Sequence, residues 1–265
     1  MRSLRSAAVS RLRETGSVFA EDEADLLLAT AATPADLDAM VERRAAGLPL
    51  EQVLGWAEFC GLRVAVAPGV FVPRRRTEFL AGRAVALATA APPGARAVVV
   101  DLCCGSGAVG AALAAAVPAP GVELYAADID PAAVRCARRN IPGTVGTVSR
   151  GDLYEALPDT VRGRIDVLVA NVPYVPTDEV GLLPPEAREH EPLVALDGGA
   201  DGLDILRRVT AGAPRWLAPG GHLLVETSAR QAASAAGVFR RSGLTPQVVT
   251  SAEQYATVVI GTPAA

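Results

Sequence analysis

The chain has 265 residues, of which 50% are hydrophobic and 20% are charged, and its formal net charge is −4. A chain of this length and composition can bury a large core, in one big domain or in one big and one small domain. All 25 basic residues are arginine and 29 residues are acidic, so no overall cationic field attracts a nucleic-acid backbone.

Neither a membrane span nor an export signal is visible along the chain. A bilayer-spanning helix needs about 20 consecutive apolar residues, and the longest apolar run, around residues 108–117, is far shorter. The N-terminus is basic but has no continuous apolar core and no small-residue cleavage site. We therefore expect a soluble, cytoplasmic protein without membrane attachment.

The four cysteines, Cys60, Cys103, Cys104 and Cys136, have no Cys-x-x-Cys spacing, and two of them are adjacent. This pattern suits neither a common zinc site nor an ordinary disulfide. The sequence therefore predicts reduced thiols and no metal centre.

Residues 1–50 have the pattern of a small helical domain. The segment "TPADLDAMVERRAAG" opens with Thr-Pro, has acids in its first turn and has arginines before a glycine. Residues 51–75, "EQVLGWAEFCGLRVAVAPGVFVPRR", then change to short alternating runs broken by Gly and Pro. These runs predict a hairpin-like linker.

From residue 76 to residue 265, apolar strands alternate with helical segments. The predicted strands include "ARAVVVDL", "VELYAADI", "RIDVLVAN" and "GGHLLVE". Alternation of this kind predicts a mostly parallel sheet with helices on both faces. The last stretch, "TPQVVTSAEQYATVVIGT", has two apolar runs joined by a short polar link, which predicts an antiparallel pair.

A glycine loop follows the first of these strands. Gly105, Gly107 and Gly110 have G-x-G-x-x-G spacing between a strand and a helix. Such glycines let the backbone approach a ligand at a helix N-terminus, where free N–H groups favour oxygen-rich ligands. The loop alone also fits a nicotinamide dinucleotide, because Asp128 stands roughly 20 residues further on.

Asp101, just before the loop, distinguishes a nicotinamide dinucleotide from S-adenosylmethionine as the bound cofactor. A carboxylate there would repel a pyrophosphate, whereas it can hold the cationic amino group of a methionine moiety. The sequence thus favours S-adenosylmethionine, with Asp128 accepting hydrogen bonds from the ribose hydroxyls and Asp152 meeting the adenine amino group. The plainer alternative is that Asp128 and Asp152 only cap the helix and the turn that follow them.

The heptapeptide "ANVPYVP" at 170–176 follows a further predicted strand. An ordinary loop is the simplest interpretation of its Asn and Pro residues. In a doubly wound sheet, however, Asn171 would lie beside the glycine loop, because ligands bind beyond the carboxyl ends of the strands. Asn171 Oδ1 and the carbonyl of Val172 can then accept hydrogen bonds from the two N–H groups of an amide or amine that receives the methyl group of S-adenosylmethionine. Tyr174 would form an aromatic wall beside it.

The two histidines of the chain, His190 and His222, occupy no motif position that requires catalysis. We interpret both as structural. Glu191 and Glu226 likewise have no role that the sequence predicts.

Most of the chain resembles the HemK-type protein N5-glutamine methyltransferases, which methylate the glutamine of the Gly-Gly-Gln loop in class I peptide release factors. The segments that carry the likeness are "PLEQVLGWAEFCGLRVAVAPGVFVPRRRTE", "DLCCGSGAVG", "AADIDPAAVRCARRN", "GDLYEAL", "NVPYVP" and "EHEPLVALDGGADGLDILRRVTAGAPRWLAPGGHLLVE". The first and last of these are more particular to the family than the glycine loop, which many methyltransferases share.

The resemblance implies an α/β fold of the class I S-adenosylmethionine-dependent methyltransferases, Rossmann-like, with a seven-stranded and mostly parallel sheet. It further implies a helical substrate-recognition domain at 1–50, a β-hairpin linker at 51–75 and a methyltransferase domain at 76–265. The expected catalytic residues are Asn171, Val172, Pro173 and Tyr174. The residues expected to bind S-adenosylmethionine are Asp101, Cys103, Cys104, Gly105, Ser106, Gly107, Asp128, Asp152, Leu153 and Asn171, with Leu153 packing on the adenine.

Two motifs depart from the pattern of this family. Val172 replaces the first proline of the usual Asn-Pro-Pro-Tyr, which keeps a carbonyl but loses one fixed φ angle. The run "PRRRTE" at 73–78 stands where Pro-Arg-Pro-Glu-Thr-Glu is usual, so that Arg75 and Arg76 replace a proline and an acid. Together with a shorter N-terminal domain, these changes indicate a divergent branch of the family.

The expected activity is methyl transfer from S-adenosylmethionine to N5 of a protein glutamine, with class I release factors as the acceptors that the resemblance implies. An alternative acceptor is an exocyclic amine of an RNA or DNA base, stacked on Tyr174. The net acidity and the lack of a recognisable nucleic-acid module count against stable nucleic-acid binding. A third alternative is a noncatalytic binding module that kept the fold, and the presence of Asn171 argues against it.

Overall fold

The computed structural model describes residues 2–90, 95–117 and 121–264. Its first four helices are α1 (Arg2–Glu14), α2 (Ala20–Thr30), α3 (Pro34–Ala45) and α4 (Leu50–Leu54). Thr33 accepts a hydrogen bond from the Asp36 N–H at 3.1 Å, and Pro34 follows it, so α3 begins where the Thr-Pro pair predicts. Helix α4 runs across the domain boundary that the sequence places at residue 50.

The four N-terminal helices bury a small apolar core of their own. Each helix contributes one stripe of apolar side chains to it, as amphipathic helices do when they pack on one another. The central members of this core are Leu12, Leu27, Leu37, Met40, Val41 and Val53.

A two-stranded antiparallel hairpin follows, made of β1 (Trp56–Phe59) and β2 (Leu62–Ala65). Cys60 and Gly61 form its turn, with φ values of 50° and 72°. Positive φ at both central residues is the geometry of a type I′ turn, whose twist matches that of the flanking strands.

The larger part of the chain contains one seven-stranded sheet. Its strands are β3 (Ala97–Leu102), β4 (Val122–Asp128), β5 (Gly146–Arg150), β6 (Ile165–Ala170), β7 (Leu217–Thr227), β8 (Leu244–Ser251) and β9 (Ala256–Pro263). They lie in the order β5-β4-β3-β6-β7-β9-β8. Strand β9 is antiparallel to both of its neighbours, β7 and β8, and all other neighbouring strands are parallel. The sheet confirms the predicted fold class, and β8 with β9 confirms the antiparallel pair at the end of the chain.

Helices cover both faces of this sheet. They are α5 (Thr77–Thr89), α6 (Ala108–Ala116), α7 (Pro131–Asn140), α9 (Asp204–Trp216) and α10 (Ala232–Arg241). The short helix α8 (Pro185–His190) buries none of its residues and belongs to neither core of the sheet. Side chains of α5, α6 and α7 join the apolar core on one face, and those of α9 and α10 join the core on the other face. Strand β3 is buried along its whole length because its alternate residues enter both cores.

Within the described residues, the structure contains no helix with the length and apolar character that a membrane crossing requires.

Candidate active site

A cavity of about 470 Å³ opens at the carboxyl ends of the parallel strands. The strand order reverses there, because β4 lies on one side of β3 and β6 lies on the other. Asp101 in β3, Asp128 at the end of β4, Asp152 after β5 and Asn171 after β6 all line the cavity. The structure thus brings together the four strand-end residues that the sequence singled out.

The glycine loop lies between β3 and α6 in a conformation that needs glycine. Gly105 and Gly107 have φ values of 56° and 77°, in the left-handed region. A Cβ on Gly107 would stand 2.9 Å from the Cβ of Ala137, and a Cβ on Gly110 would stand 2.7 Å from Cδ1 of Ile141. Because α6 and α7 pack this closely, the loop is held with its backbone at the N-terminus of α6, where an oxygen-rich ligand is favoured.

Asp101 is 2% exposed and still lines the cavity. Its Oδ2 accepts a hydrogen bond of 3.1 Å from the N–H of Gly110, in the first turn of α6. Burial raises the pKa of Asp101 to about 7, although the Gly110 N–H opposes this rise. A buried carboxylate of this kind favours a cationic ligand group, which agrees with the expected contact to a methionine amino group.

Asp128 connects the end of β4 to the glycine loop. Its Oδ2 accepts from the Gly105 N–H at 2.8 Å, and its Oδ1 accepts from the Asp130 N–H at 2.9 Å. Burial raises the pKa of Asp128, and these two N–H donors oppose the rise. The cap of α7 is Asp130, which accepts from the Ala132 N–H at 2.8 Å. The alternative that Asp128 only caps this helix is therefore wrong.

Asp152 forms an ion pair with Arg208 of α9, a contact that no sequence pattern predicts. Arg208 Nη2 donates to Asp152 Oδ2 at 2.7 Å, and Arg208 also lines the cavity. The short 3-10 turn Leu153–Ala156 that follows has no side-chain cap, so the cap interpretation of Asp152 is also wrong. Leu153 has a φ of 49°, a conformation rare for leucine, and it lines the cavity beside Asp152.

The remaining residues expected around the cofactor lie on the glycine loop. Cys103, Cys104 and Ser106 all line the cavity, and all four cysteines of the chain are free thiols. Burial raises the pKa of Cys103 and of Cys104, so both stay protonated and neither is an activated nucleophile. Both cysteines form part of the cavity wall. Their role in binding stays a prediction.

The turn 171–174 enters the cavity directly after β6, and each of its four residues lines it. Val172 is 2% exposed and belongs to the apolar core on the α9 and α10 face of the sheet. Because this position is buried among apolar side chains, valine is compatible with it, although the family that the sequence resembles usually has proline here. The roles of the four residues in catalysis stay a prediction.

A glycine-rich segment shapes the outer side of this turn. A Cβ on Gly198 would stand 2.7 Å from the Pro173 carbonyl oxygen, and a Cβ on Gly202 would stand 2.3 Å from the Tyr174 carbonyl oxygen. The Gly198 N–H also donates to the Val175 carbonyl at 2.8 Å. The "LDGGADGLD" segment is therefore a close backbone support for the turn.

Two acids that the sequence left without a role contact side chains that line the cavity. Glu226, near the end of β7, accepts from Arg76 Nε at 3.1 Å and from the Tyr174 hydroxyl at 3.3 Å. Glu191 lines the cavity, forms an ion pair with Arg74 and accepts from the Val72 N–H at 3.0 Å. The position of Glu226 on the strand next to β6 is a signal by which strand-end reasoning can find it.

Comparison with known proteins places this architecture among methyltransferases. Residues 61–182 match the family described as "Methyltransferase small domain". The chain is 41% identical over 206 residues to a release factor glutamine methyltransferase of Geobacter sulfurreducens, which covers 77% of this chain and 69% of that protein. It is 40% identical over 212 residues to the 4-amino-L-phenylalanine/4-methylamino-L-phenylalanine methyltransferase of Streptomyces pristinaespiralis, with coverage of 77% and 69%.

A solved structure shows the same fold at lower sequence similarity. The ribosomal protein L11 methylase of Lactobacillus delbrueckii subsp. bulgaricus superposes with a TM-score of 0.52 at 15% identity. The match covers 75% of this chain and 83% of that chain.

Proposed function

The chain belongs to the family of release factor glutamine methyltransferases, and on that premise we propose that it methylates N5 of a protein glutamine with S-adenosylmethionine as donor. The observation that carries this proposal is the position of Asn171. It follows β6, which pairs with β3, so the Asn171 turn and the glycine loop line one cavity side by side. Class I release factors are the first acceptors to consider, because a relative of 41% identity is named for them.

The residues at the strand ends fit the methyl donor. The buried carboxylate of Asp101 would be stabilised by the cationic amino group of the methionine moiety. Asp128 would accept from the ribose hydroxyls, while Asp152 and Leu153 would meet the adenine. S-adenosylmethionine supplies a methyl group on a sulfonium, whose sulfur leaves with the bonding electron pair.

The turn at 171–174 would hold the acceptor amide. An amide nitrogen is a poor nucleophile because its lone pair is delocalised over the carbonyl. Asn171 Oδ1 and the Val172 carbonyl would accept its two N–H groups and so direct the nitrogen at the sulfonium methyl. No strong base is needed beforehand, since the N–H becomes acidic only as the new bond forms, and its proton would then be released to solvent water. In-line positioning and exclusion of water would supply most of the acceleration, on the order of several kcal/mol.

A small arylamine is the second candidate acceptor. The observation that favours it is the 40% identity to a methyltransferase named for 4-amino-L-phenylalanine. The nitrogen of an arylamine also has a delocalised lone pair, so the same two acceptors would orient it. Phe59, Phe71 and Tyr174 line the cavity and would give an aromatic ring apolar walls.

The proposal is tested with purified protein and donor carrying a labelled methyl group. The acceptors are a class I release factor, 4-amino-L-phenylalanine and a cell lysate with and without ribonuclease treatment. We expect label on a glutamine of the release factor, located by peptide mass mapping. Label only on the amino acid would select the arylamine activity, and label lost on ribonuclease treatment would select a nucleic-acid base. If no acceptor is labelled although the donor binds, the proposal fails.

The substitution Asn171→Ala separates acceptor chemistry from donor binding. We expect it to lower kcat by about 100-fold or more, because one of the two acceptors that orient the nitrogen is lost. Donor affinity measured by calorimetry should change far less than kcat. Gln247→Ala, which removes an exposed amide on β8, is the matched control and should be fully active. Unchanged activity of the Asn171 variant would remove this residue from the mechanism.

A further inference from the structure

Arg76, Tyr174 and Glu226 form a closed hydrogen-bond network at the acceptor end of the cavity. Arg76 Nη2 donates to the Tyr174 hydroxyl oxygen at 2.6 Å, and Arg76 Nε donates to Glu226 Oε1 at 3.1 Å. The Tyr174 hydroxyl donates in turn to the same Oε1 at 3.3 Å. The three residues come from the start of α5, the turn after β6 and the end of β7, so the network joins three elements around Tyr174.

Charge and burial make this network hard to rearrange. Glu226 is 2% exposed, and its Oε2 is buried without a hydrogen-bond partner among the described residues. A buried carboxylate is costly unless a cation stands beside it, and Arg76 is the cation in contact with it. Burial, together with the charge of Glu226, raises the pKa of Tyr174 to about 12, so its hydroxyl keeps the proton that it donates.

The backbone of Tyr174 is fixed as firmly as its hydroxyl. Gln231 Nε2 donates to the Tyr174 carbonyl at 2.9 Å, and Gln231 Oε1 accepts from the Ser228 hydroxyl at 2.7 Å. Gly202 packs closely against the same carbonyl and against Gln231 Nε2. The ring is therefore held at both ends, while Asn171, three residues earlier, lines the same cavity.

We propose that Arg76 and Glu226 are positioning residues for the acceptor, which act by locking the Tyr174 ring as a wall beside Asn171. This inference rests on the proposed function, since the acceptor nitrogen is the group that the wall orients. It gives a role to Arg76, one of the two arginines that replace the usual residues of the "PRRRTE" segment. An acid at position 76 would face the buried Glu226, whereas Arg76 neutralises it and reaches Tyr174.

If the network positions the acceptor, its loss should lower kcat/KM for the acceptor and leave the binding of the donor unchanged. Arg76→Gln, Glu226→Gln and Tyr174→Phe should each lower kcat/KM for the acceptor by about 10- to 100-fold, the loss expected for one charge-assisted hydrogen bond. The dissociation constant of S-adenosylhomocysteine should stay within about twofold, well below the tenfold change that one such bond represents. Arg76→Lys keeps the charge and should recover part of the loss.

A double-mutant cycle distinguishes positioning from general damage. If Arg76 and Glu226 act together through Tyr174, the double variant Arg76→Gln with Glu226→Gln should lose no more activity than either single variant. Arg162→Gln removes an exposed ion pair with Asp159 outside the cavity lining and should change nothing. Additive losses, or a loss confined to donor binding, would overturn the inference.

The lock itself is tested without any acceptor. In protein labelled with ¹³C at the tyrosine Cζ, the Tyr174 signal at neutral pH should shift in Arg76→Gln and in Glu226→Gln but not in Arg162→Gln. An unmoved Tyr174 signal would overturn the inference whatever the acceptor proves to be. A moved signal in a protein that methylates none of the acceptors would support the lock and count against the proposed function, so the two failures are distinguishable.

Discussion

Asp101 is the residue at which burial and cofactor chemistry meet most directly. The carboxyl is 2% exposed and its pKa is raised by burial from 3.8 to about 7. Because the cationic amino group of the donor favours the ionised carboxylate, we expect the affinity for S-adenosylhomocysteine to rise as the pH rises from about 6 to 7.5. Titration calorimetry over this range measures the effect, and Asp101→Asn should abolish the rising part of the profile. An equally steep profile in the variant would assign the titration to another group.

The same carboxyl has the opposite effect on the stability of the protein without ligand. Its folded-state pKa lies above its unfolded value, so the folded state binds more protons between about pH 4 and pH 7. The contribution of Asp101 is therefore present at low pH and is lost as the pH rises through about 7. Urea unfolding of the Asp101→Asn variant should lack this decrease, which provides a measurement independent of any ligand.

Asn140 connects two elements that are far apart in sequence, the hairpin strand β2 and the glycine loop. Its Oδ1 accepts from the Ala65 N–H at 2.7 Å, and its Nδ2 donates to the carbonyls of Ala65 and Ser106, each at 2.8 Å. Asn140→Asp keeps the first bond but places a carboxylate oxygen opposite two carbonyl oxygens. We expect this isosteric change to weaken S-adenosylhomocysteine binding by about tenfold, because the hydrogen bond to the Ser106 carbonyl of the glycine loop and the one to the Ala65 carbonyl of β2 are both lost.

Hydrogen exchange measures the same change directly. The glycine-loop amides should exchange faster in Asn140→Asp, since the link from Asn140 to the Ser106 carbonyl is broken, whereas the Ala65 amide keeps its acceptor. Arg139→Gln, at the neighbouring exposed position on α7, is the matched control and should leave both affinity and exchange unchanged. If the two variants behave alike, Asn140 does not couple the hairpin to the loop.

The elements of this fold were largely predictable from sequence, and the side-chain network was not. The alternation of strands and helices predicted the parallel sheet. The rule that ligands bind beyond the carboxyl ends of the strands predicted Asp101, Asp128, Asp152 and Asn171. Both predictions rest on local sequence patterns. The network of Arg76, Tyr174 and Glu226 joins residues 98 and 52 positions apart. No local sequence pattern predicts such a contact, since it depends on which strands become neighbours and on the angle at which α5 packs on the sheet.

At the scale of the whole molecule, the cavity is completed by parts of the chain outside the sheet. Glu51 of α4, Phe71 after the hairpin and Glu186 of α8 all line it. Gln52 Nε2 donates to the Val70 carbonyl at 3.1 Å and to the His190 carbonyl at 3.4 Å, so α4, the segment after the hairpin and the end of α8 are held together. Helix α4 of the N-terminal part is therefore held against the cavity as part of its wall.

Arg44 of α3 is the main ionic connection between these helices and α8. Its guanidinium donates to Glu23 Oε1 at 2.9 Å, Glu186 Oε1 at 2.6 Å and the Leu48 carbonyl at 3.0 Å, and its side chain is 13% exposed. Arg44→Gln leaves Glu23 buried without its cation, which should destabilise the protein by about 3 kcal/mol. Because α8 also loses its ionic contact, KM for the acceptor should rise while donor affinity stays unchanged.

Comparing two arginine variants isolates the effect of this connection. Arg5→Gln removes the ion pair between Arg5 and Asp25, which is exposed and joins α1 to α2 only, so neither stability nor KM should change measurably. Hydrogen exchange in Arg44→Gln should increase in both α2 and α8, because the same guanidinium holds both. If exchange increases in α2 alone, Arg44 stabilises only the N-terminal helices, and the acceptor wall at α8 is held by Gln52 and Glu191 instead.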